Sequence, residues 1–217
     1  MATSASHSAL EDQLPLMNAD LSREDYCQFV SRFFGFYAPL EVQLLASPHW
    51  HQLAFDYAPR QKTPRLAQDL LALGRSDAAL AATPRCMDLP ACTTPEQLLG
   101  CLYVIEGATL GGRTITRHLQ TRLGLSPESG GAFFDGYGAQ TGSHWKAFCT
   151  MLSNNADDLP NPNPNPNSNP GHCAHPSACE SRHADIVAGA NRTFETLTHW
   201  LFPTALQRTT PHDLQLG

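Results

Sequence analysis

Apolar residues recur at three- and four-residue spacing through most of the chain, and strict alternation is scarce, so the pattern predicts helices and almost no strand. A first helix is expected from Thr3 to Leu14, stopped by Pro15. Ser22, with Asp25 three residues on, resembles a capping box. It opens a helix whose apolar stripe is Tyr26, Phe29, Val30, Phe33, Phe34 and Tyr37, with Pro39 expected to kink its far end. Thr63-Pro64 starts a shorter helix that Gly74 ends. Thr94, Pro95 and Glu96 open a long helix that Gly124 closes after Leu123. Two more are expected over Thr141–Leu152 and Ser181–Leu201, with Pro203 barring continuation. Between them, Asn161-Pro-Asn-Pro-Asn-Pro-Asn167 forbids a helix and reads as low-complexity, extended or disordered chain.

The long helix contains a contradiction. Gly107, Gly111 and Gly112 sit in its middle, and each interior glycine costs about 1 kcal/mol relative to alanine. Gly100, Gly107 and Gly111 fall at i, i+7 and i+11, on one face. A face without side chains allows either close packing of a second helix or the approach of something flat to the backbone, and it lets the helix bend. Periodicity alone leaves both open.

Length and composition narrow the classes. The 217 residues suit one domain with a sizeable core. No apolar run approaches the 18 residues of a membrane span, and the N-terminus lacks the basic start and apolar stretch of a secretory signal. A cytoplasmic protein is expected. The net charge of −6, with no basic run, argues against nucleic-acid binding. Seven cysteines without tight pair spacing read as free thiols, with Cys27, Cys101 and Cys149 as small buried residues. No phosphate-loop pattern is present, and Gly130, Gly131, Gly136 and Gly138 read as turn-formers.

The wording of the glycine segment carries more than its spacing. Leu102-Tyr-Val-Ile-Glu-Gly-Ala-Thr-Leu-Gly-Gly-Arg-Thr-Ile-Thr-Arg-His118 resembles the distal helix of the heme oxygenases, in particular the bacterial biliverdin-producing branch associated with phytochromes. Phe133-Phe-Asp-Gly-Tyr-Gly-Ala-Gln-Thr-Gly-Ser-His-Trp145 resembles the segment that follows it there. Tyr37-Ala-Pro-Leu-Glu41, Arg60-Gln-Lys-Thr-Pro-Arg-Leu-Ala-Gln-Asp-Leu70 and Phe194-Glu-Thr-Leu-Thr-His-Trp-Leu201 are similar too. The resemblance covers nearly the whole chain. It implies an all-α, single-domain helical bundle over residues 1–203, an Asn/Pro and His/Cys insert at about 155–182, and a tail at 204–217.

The resemblance also implies a site. Thr3-Ser-Ala-Ser-His-Ser-Ala-Leu-Glu11 matches the family's first-helix pattern, which makes His7 the expected ligand to heme iron and Glu11 the group that orients its ring. Gly107, Gly111 and Gly112 are the expected catalytic backbone, pressing on bound oxygen. Ala108 stands where mammalian relatives carry a water-organising aspartate. Tyr103, Arg113 and Arg192 are the candidates for the heme propionates, with Thr109 for the water network. Lys62 and Arg65 read instead as a solvated face, and Glu106 as a helix-anchoring carboxylate pointing away from the glycines. The implied reaction is oxidative cleavage of heme, at once substrate and cofactor, to biliverdin, carbon monoxide and ferrous iron. It uses O2 and electrons from a ferredoxin or flavoprotein reductase, and a phytochrome would receive the product.

Two other readings stand beside it. One is a non-catalytic heme-binding or sensor protein on the same fold. The other is a heme-free helical interaction protein, its glycines serving helix packing and its His172, Cys173, His175, Cys179 and His183 binding zinc. His49 and His51, flanking Trp50, read as loop residues.

Overall fold

The structure is a computed structural model that describes residues 3–156 and 176–203. Its helices are α1 (Ser4–Glu11), α2 (Arg23–Leu45), α3 (Trp50–Leu53), α4 (Thr63–Ala72), α5 (Asp77–Ala81), α6 (Pro95–Gly107), α7 (Gly112–Leu123), α8 (Ala132–Asp135), α9 (Thr141–Ala156) and α10 (Pro176–Leu201). There is no strand among the described residues.

Local chemistry sets most of the ends. The Ser22 side chain accepts the Asp25 N–H at the start of α2, and Thr94 accepts that of Gln97 at the start of α6. Gly74 and Gly124 stop α4 and α7 at φ +95° and +66°, a conformation that an L side chain resists. Pro39 does not end α2, which continues to Leu45. Proline has no N–H to give the Gly35 carbonyl one turn back, and that carbonyl is instead taken by the Cys86 N–H at 2.9 Å. A tertiary contact thus replaces the missing helical bond.

The core is one apolar mass centred on α2, which buries Tyr26, Val30, Phe36, Tyr37, Leu40 and Leu44. Alongside it α6 and α10 pack together. At Gly100 an added Cβ would lie 2.6 Å from the Ala190 nitrogen and 2.8 Å from the Gly189 carbonyl carbon, and at Gly189 one would lie 3.1 Å from the Gln97 Cα. The two backbones touch because neither carries a side chain there.

Several expectations change. The first helix ends at Glu11, and Pro15–Met17 form a separate single turn. His51, read as a loop residue, lies in the short helix α3 over Trp50–Leu53. The helix expected from Thr94 to Leu123 is two, separated by a tighter turn over Ala108–Gly111. The last helix starts at Pro176, inside the segment read as an insert. The Asn/Pro run and the tail at 204–217 lie outside the described residues.

Candidate functional site

The break between α6 and α7 is where the glycines act. Over Ala108–Gly111 the winding tightens, and the Thr109 hydroxyl donates to the Glu106 carbonyl at 2.6 Å. The four glycines then part company. Gly100 belongs to the α6–α10 contact. At Gly112 a methyl would overlap the Phe134 carbonyl oxygen, so α7 starts hard against α8. Gly107 has only the Trp145 ring within reach of an added Cβ, at 3.7 Å, and Gly111 has nothing within 4 Å. Gly111 faces open space, and Gly107 borders the same space beside the Trp145 ring.

That space is a cavity of about 210 Å³. Its walls include His7 and Glu11 of α1, Phe33 and Tyr37 of α2, Tyr103 and the turn from Gly107 to Gly111, the aromatic pair Phe133–Phe134, and Phe194 of α10. The lining is mostly apolar, as small-molecule sites are. Phe33 and Tyr37 meet the Phe133 ring at centroid distances of 5.2 and 5.5 Å, which fixes one wall as a packed aromatic surface.

His7 is half exposed, its Nδ1 3.2 Å from a Glu11 carboxylate oxygen one turn on. Its ring meets Phe194 edge-on at 5.9 Å, and Ser6 beside it donates to Asn191 at 3.0 Å. These contacts tie α1 to α10, since Leu10 is the buried side chain of α1.

Behind the glycine turn sits a buried ion cluster. Glu106 is 1% exposed. One of its oxygens accepts from Arg60 at 2.6 Å, and the other from both Lys62 and the Tyr137 hydroxyl, the latter at 2.8 Å. Lys62 also donates to Tyr137 at 2.7 Å. Burial pulls the Lys62 ammonium below the usual lysine range, against the opposing pull of Glu106. Burial likewise raises the Tyr137 phenol, with the Glu106 charge adding to it. Nearby, Glu41 is buried and accepts from the Tyr57 hydroxyl and from the Lys62 and Thr63 N–H groups, fastening the start of α4.

A third buried acid, Asp69, accepts from the Ala132 and Phe133 N–H groups at 2.8 Å each and so anchors the α8 segment that carries the aromatic wall. Burial outweighs these two bonds and pushes its carboxyl up to about 6.

The heme oxygenase family model matches residues 1–160. The chain belongs to the heme oxygenase family. Among solved structures it is similar to the heme oxygenase from Leptospira interrogans, with a TM-score of 0.65 and 16% identity over 92% of this chain and 94% of that one. At that identity the likeness is one of fold. A comparison with curated proteins found no significant match.

Within this heme oxygenase fold, the residues expected at the site divide. His7, Glu11, Tyr103, Gly107, Ala108, Thr109 and Gly111 line the cavity. Gly112 does not, because its bare face is spent on α8. Arg113 is exposed on α7, away from the cavity lining. Arg192 is also exposed and is paired with Asp88 at 2.9 Å and Glu195 at 3.7 Å, so its charge is committed elsewhere. Lys62, read as solvated, is 4% exposed and lines the cavity, and Arg65 lies over the Tyr137 ring at 5.5 Å. The signal that finds Lys62 is Glu106 itself: a carboxylate closing the buried apolar run from Leu98 to Ile105 needs a cation from elsewhere in the chain. Of the proposed zinc ligands, His172, Cys173, His175 and the Cys179 side chain lie outside the described residues. No cluster of metal-binding side chains forms among those described. Among the described cysteines Cys27, Cys86, Cys92 and Cys101 are buried, Cys149 is half-buried, and all five are free. No described helix is long and apolar enough to cross a membrane.

Proposed function

We propose that this chain is an active heme oxygenase that binds heme in the cavity between α1, α10 and the glycine turn and opens its ring to biliverdin, carbon monoxide and ferrous iron. The observation that carries the reading is the meeting of His7 with the side-chain-free backbone of Gly107 and Gly111 on the walls of one apolar cavity. Heme, when bound, supplies the redox chemistry, with O2 and external electrons as co-reactants.

The protein's part is to bind and orient. His7 offers Nε2 to the iron while Glu11 engages Nδ1, which fixes the tautomer and the ring plane. Phe194 steadies that ring from the side. Gly107 and Gly111 let the macrocycle lie against the helix backbone, where a side chain would hold it off. The apolar walls suit the faces of a porphyrin, and Tyr103 is the candidate of the original set that remains at the cavity for a propionate. We further place the chain in the biliverdin-producing bacterial branch, from the segments quoted above. Electrons come from a ferredoxin or flavoprotein reductase, and a phytochrome takes the product. Five free thiols among the described residues, four of them buried, fit a reducing cytoplasm. Ala108, which leaves the glycine turn without an acid to organise water, favours a second reading, a heme-binding protein that does not turn over.

The test is an absorption time course of the hemin-reconstituted protein with ascorbate or a ferredoxin system, run beside His7→Ala. Loss of the Soret band with growth of a broad red band, altered in the variant, is the expected result. A stable Soret band under efficient electron supply selects the second reading, and no Soret shift on adding hemin overturns both.

A further inference from the structure

Glu106 occupies a peculiar place. It is the residue before Gly107, at the point where α6 gives way to the tighter turn, and both its carbonyl and its carboxylate are engaged. The carbonyl accepts from Thr109 within the turn. The carboxylate reaches three side chains from two distant segments. Arg60 and Lys62 come from the stretch ahead of α4, and Tyr137 from the loop between α8 and α9. Arg60 goes on to the His144 carbonyl in α9 at 3.4 Å, and the Tyr137 ring stacks on His144 at 4.2 Å. Lys62 and Tyr137 also line the cavity.

A buried ion pair adds little net stability over a well-packed apolar group, because desolvation consumes most of the Coulomb gain. What it does supply is a direction. Hydrogen bonds to both carboxylate oxygens define where the carboxylate, and hence the α6 end that carries it, must sit. The neighbouring residue is Gly107, whose backbone forms the cavity wall.

We infer that Glu106 is a positioning residue: clamped by Arg60, Lys62 and Tyr137, it holds the Gly107–Gly111 backbone at a fixed depth in the cavity and thereby selects which edge of the bound macrocycle is attacked. This rests on the heme-degrading reading above. Glu106 does not line the cavity and acts through the backbone it anchors, while Lys62 and Tyr137 couple the clamp to whatever fills the site. Glu41 and Tyr57, on the other side of Lys62, belong to the same buried set but fasten α4 rather than the turn.

The experiment compares wild type with Glu106→Gln, which keeps the shape and removes the charge, and with Tyr137→Phe, which deletes the hydroxyl's bonds to Glu106 and Lys62 and leaves both ion pairs intact. The first readout is amide hydrogen exchange in the heme-free protein. Losing a hydrogen bond to a charged group is expected to speed exchange of the amides from Gly107 to Gly112 about tenfold, with Leu98–Ile105 unchanged. The second is the ratio of biliverdin isomers formed, expected to shift toward a mixture in both variants. Should Glu106→Gln fail to fold, Tyr137→Phe gives the same two readings at smaller amplitude. A uniform rise in exchange across α6, with an unchanged isomer ratio, overturns the proposal and leaves Glu106 a stability element alone. Exchange is read without heme, so a failure of wild type to bind or cleave heme defeats the functional reading and leaves the exchange result standing.

Discussion

Replacing Gly100 by alanine puts a methyl carbon 2.6 Å from the Ala190 nitrogen and 2.8 Å from the Gly189 carbonyl carbon, closer still to the Ile186 carbonyl. All are backbone atoms of α10 and cannot rotate away. Restoring ordinary contact requires α6 and α10 to separate by about 1 Å along their shared face. Overpacking of this kind costs about 1–3 kcal/mol, and here the loosening spreads along the interface, so the upper end applies. The alanine recovers about 1 kcal/mol of helix propensity. The net expectation is a loss of about 2 kcal/mol, or about 4–8 °C in Tm for a chain of this length.

Gly111→Ala is the control with the opposite sign. Nothing lies within 4 Å of its added Cβ, and its φ of −74° is one that alanine adopts freely. Folding is then unchanged or gains up to about 1 kcal/mol from a stiffer unfolded chain. Its methyl, however, intrudes on the cavity wall, so hemin binding should weaken, whereas Gly100→Ala should leave hemin affinity within about twofold. Urea unfolding of the heme-free proteins followed by circular dichroism, with hemin titration followed at the Soret band, reads both axes. Equal destabilisation by the two substitutions, or a neutral Gly100→Ala, refutes the division of the glycines between packing and cavity.

Two further outcomes follow from single contacts. Arg192→Ala removes an exposed ion pair with Asp88 and should change stability by less than about 1 kcal/mol; hemin titration should be unaltered, and a tenfold loss would return Arg192 to the cavity mouth. Leu10→Ala withdraws the buried side chain of α1 and should cost about 2 kcal/mol of local docking. Hydrogen exchange is then expected to rise in α1 while α6 stays protected, and uniform exchange through the bundle would contradict that.

Asp69 sets a pH dependence. Its folded value, about 6, lies above the ordinary 3.8, so between these values the native state holds a proton that the unfolded chain has released. The stability from this group is fully present below about 4 and is lost as pH rises through 6, about 3 kcal/mol in all. Asp69→Asn should therefore compare more favourably with wild type at pH 7.5 than at pH 4.5 in urea titrations. The reverse ordering would mean that the backbone bonds from Ala132 and Phe133 outweigh burial.

Much of the helical layout was legible because its causes are local. Ser22, Thr94, Gly74 and Gly124 act within a turn or two of their own positions, through a side-chain cap or a φ that glycine tolerates. The family, too, was legible, because several quoted segments lie in the matched region. The long distal helix was misread as continuous because helical spacing persists through Ala108–Gly111. The tightening there is imposed by the Thr109–Glu106 bond and by Gly112 meeting Phe134.

Charge placement divides sequence from structure most sharply. The order of residues by itself determined that the chain is helical, where most helices begin and end, and that one helix carries glycines with a purpose. It did not determine which cations are buried. Arg60, Lys62 and Arg65 stand within six residues of one another, and polarity alone puts Lys62 and Arg65 on a solvated face. Lys62 is drawn inside, to Glu106 44 residues away, while Arg192 is held outside by Asp88, 104 residues away. Periodicity states which face of a helix is turned inward; the partner that compensates a buried charge is set only when distant segments are brought together, because desolvation leaves no ion buried without one. The assignment of Gly100 to packing, Gly107 and Gly111 to the cavity and Gly112 to α8 was decided in the same way, by which backbone or ring the tertiary fold laid against each.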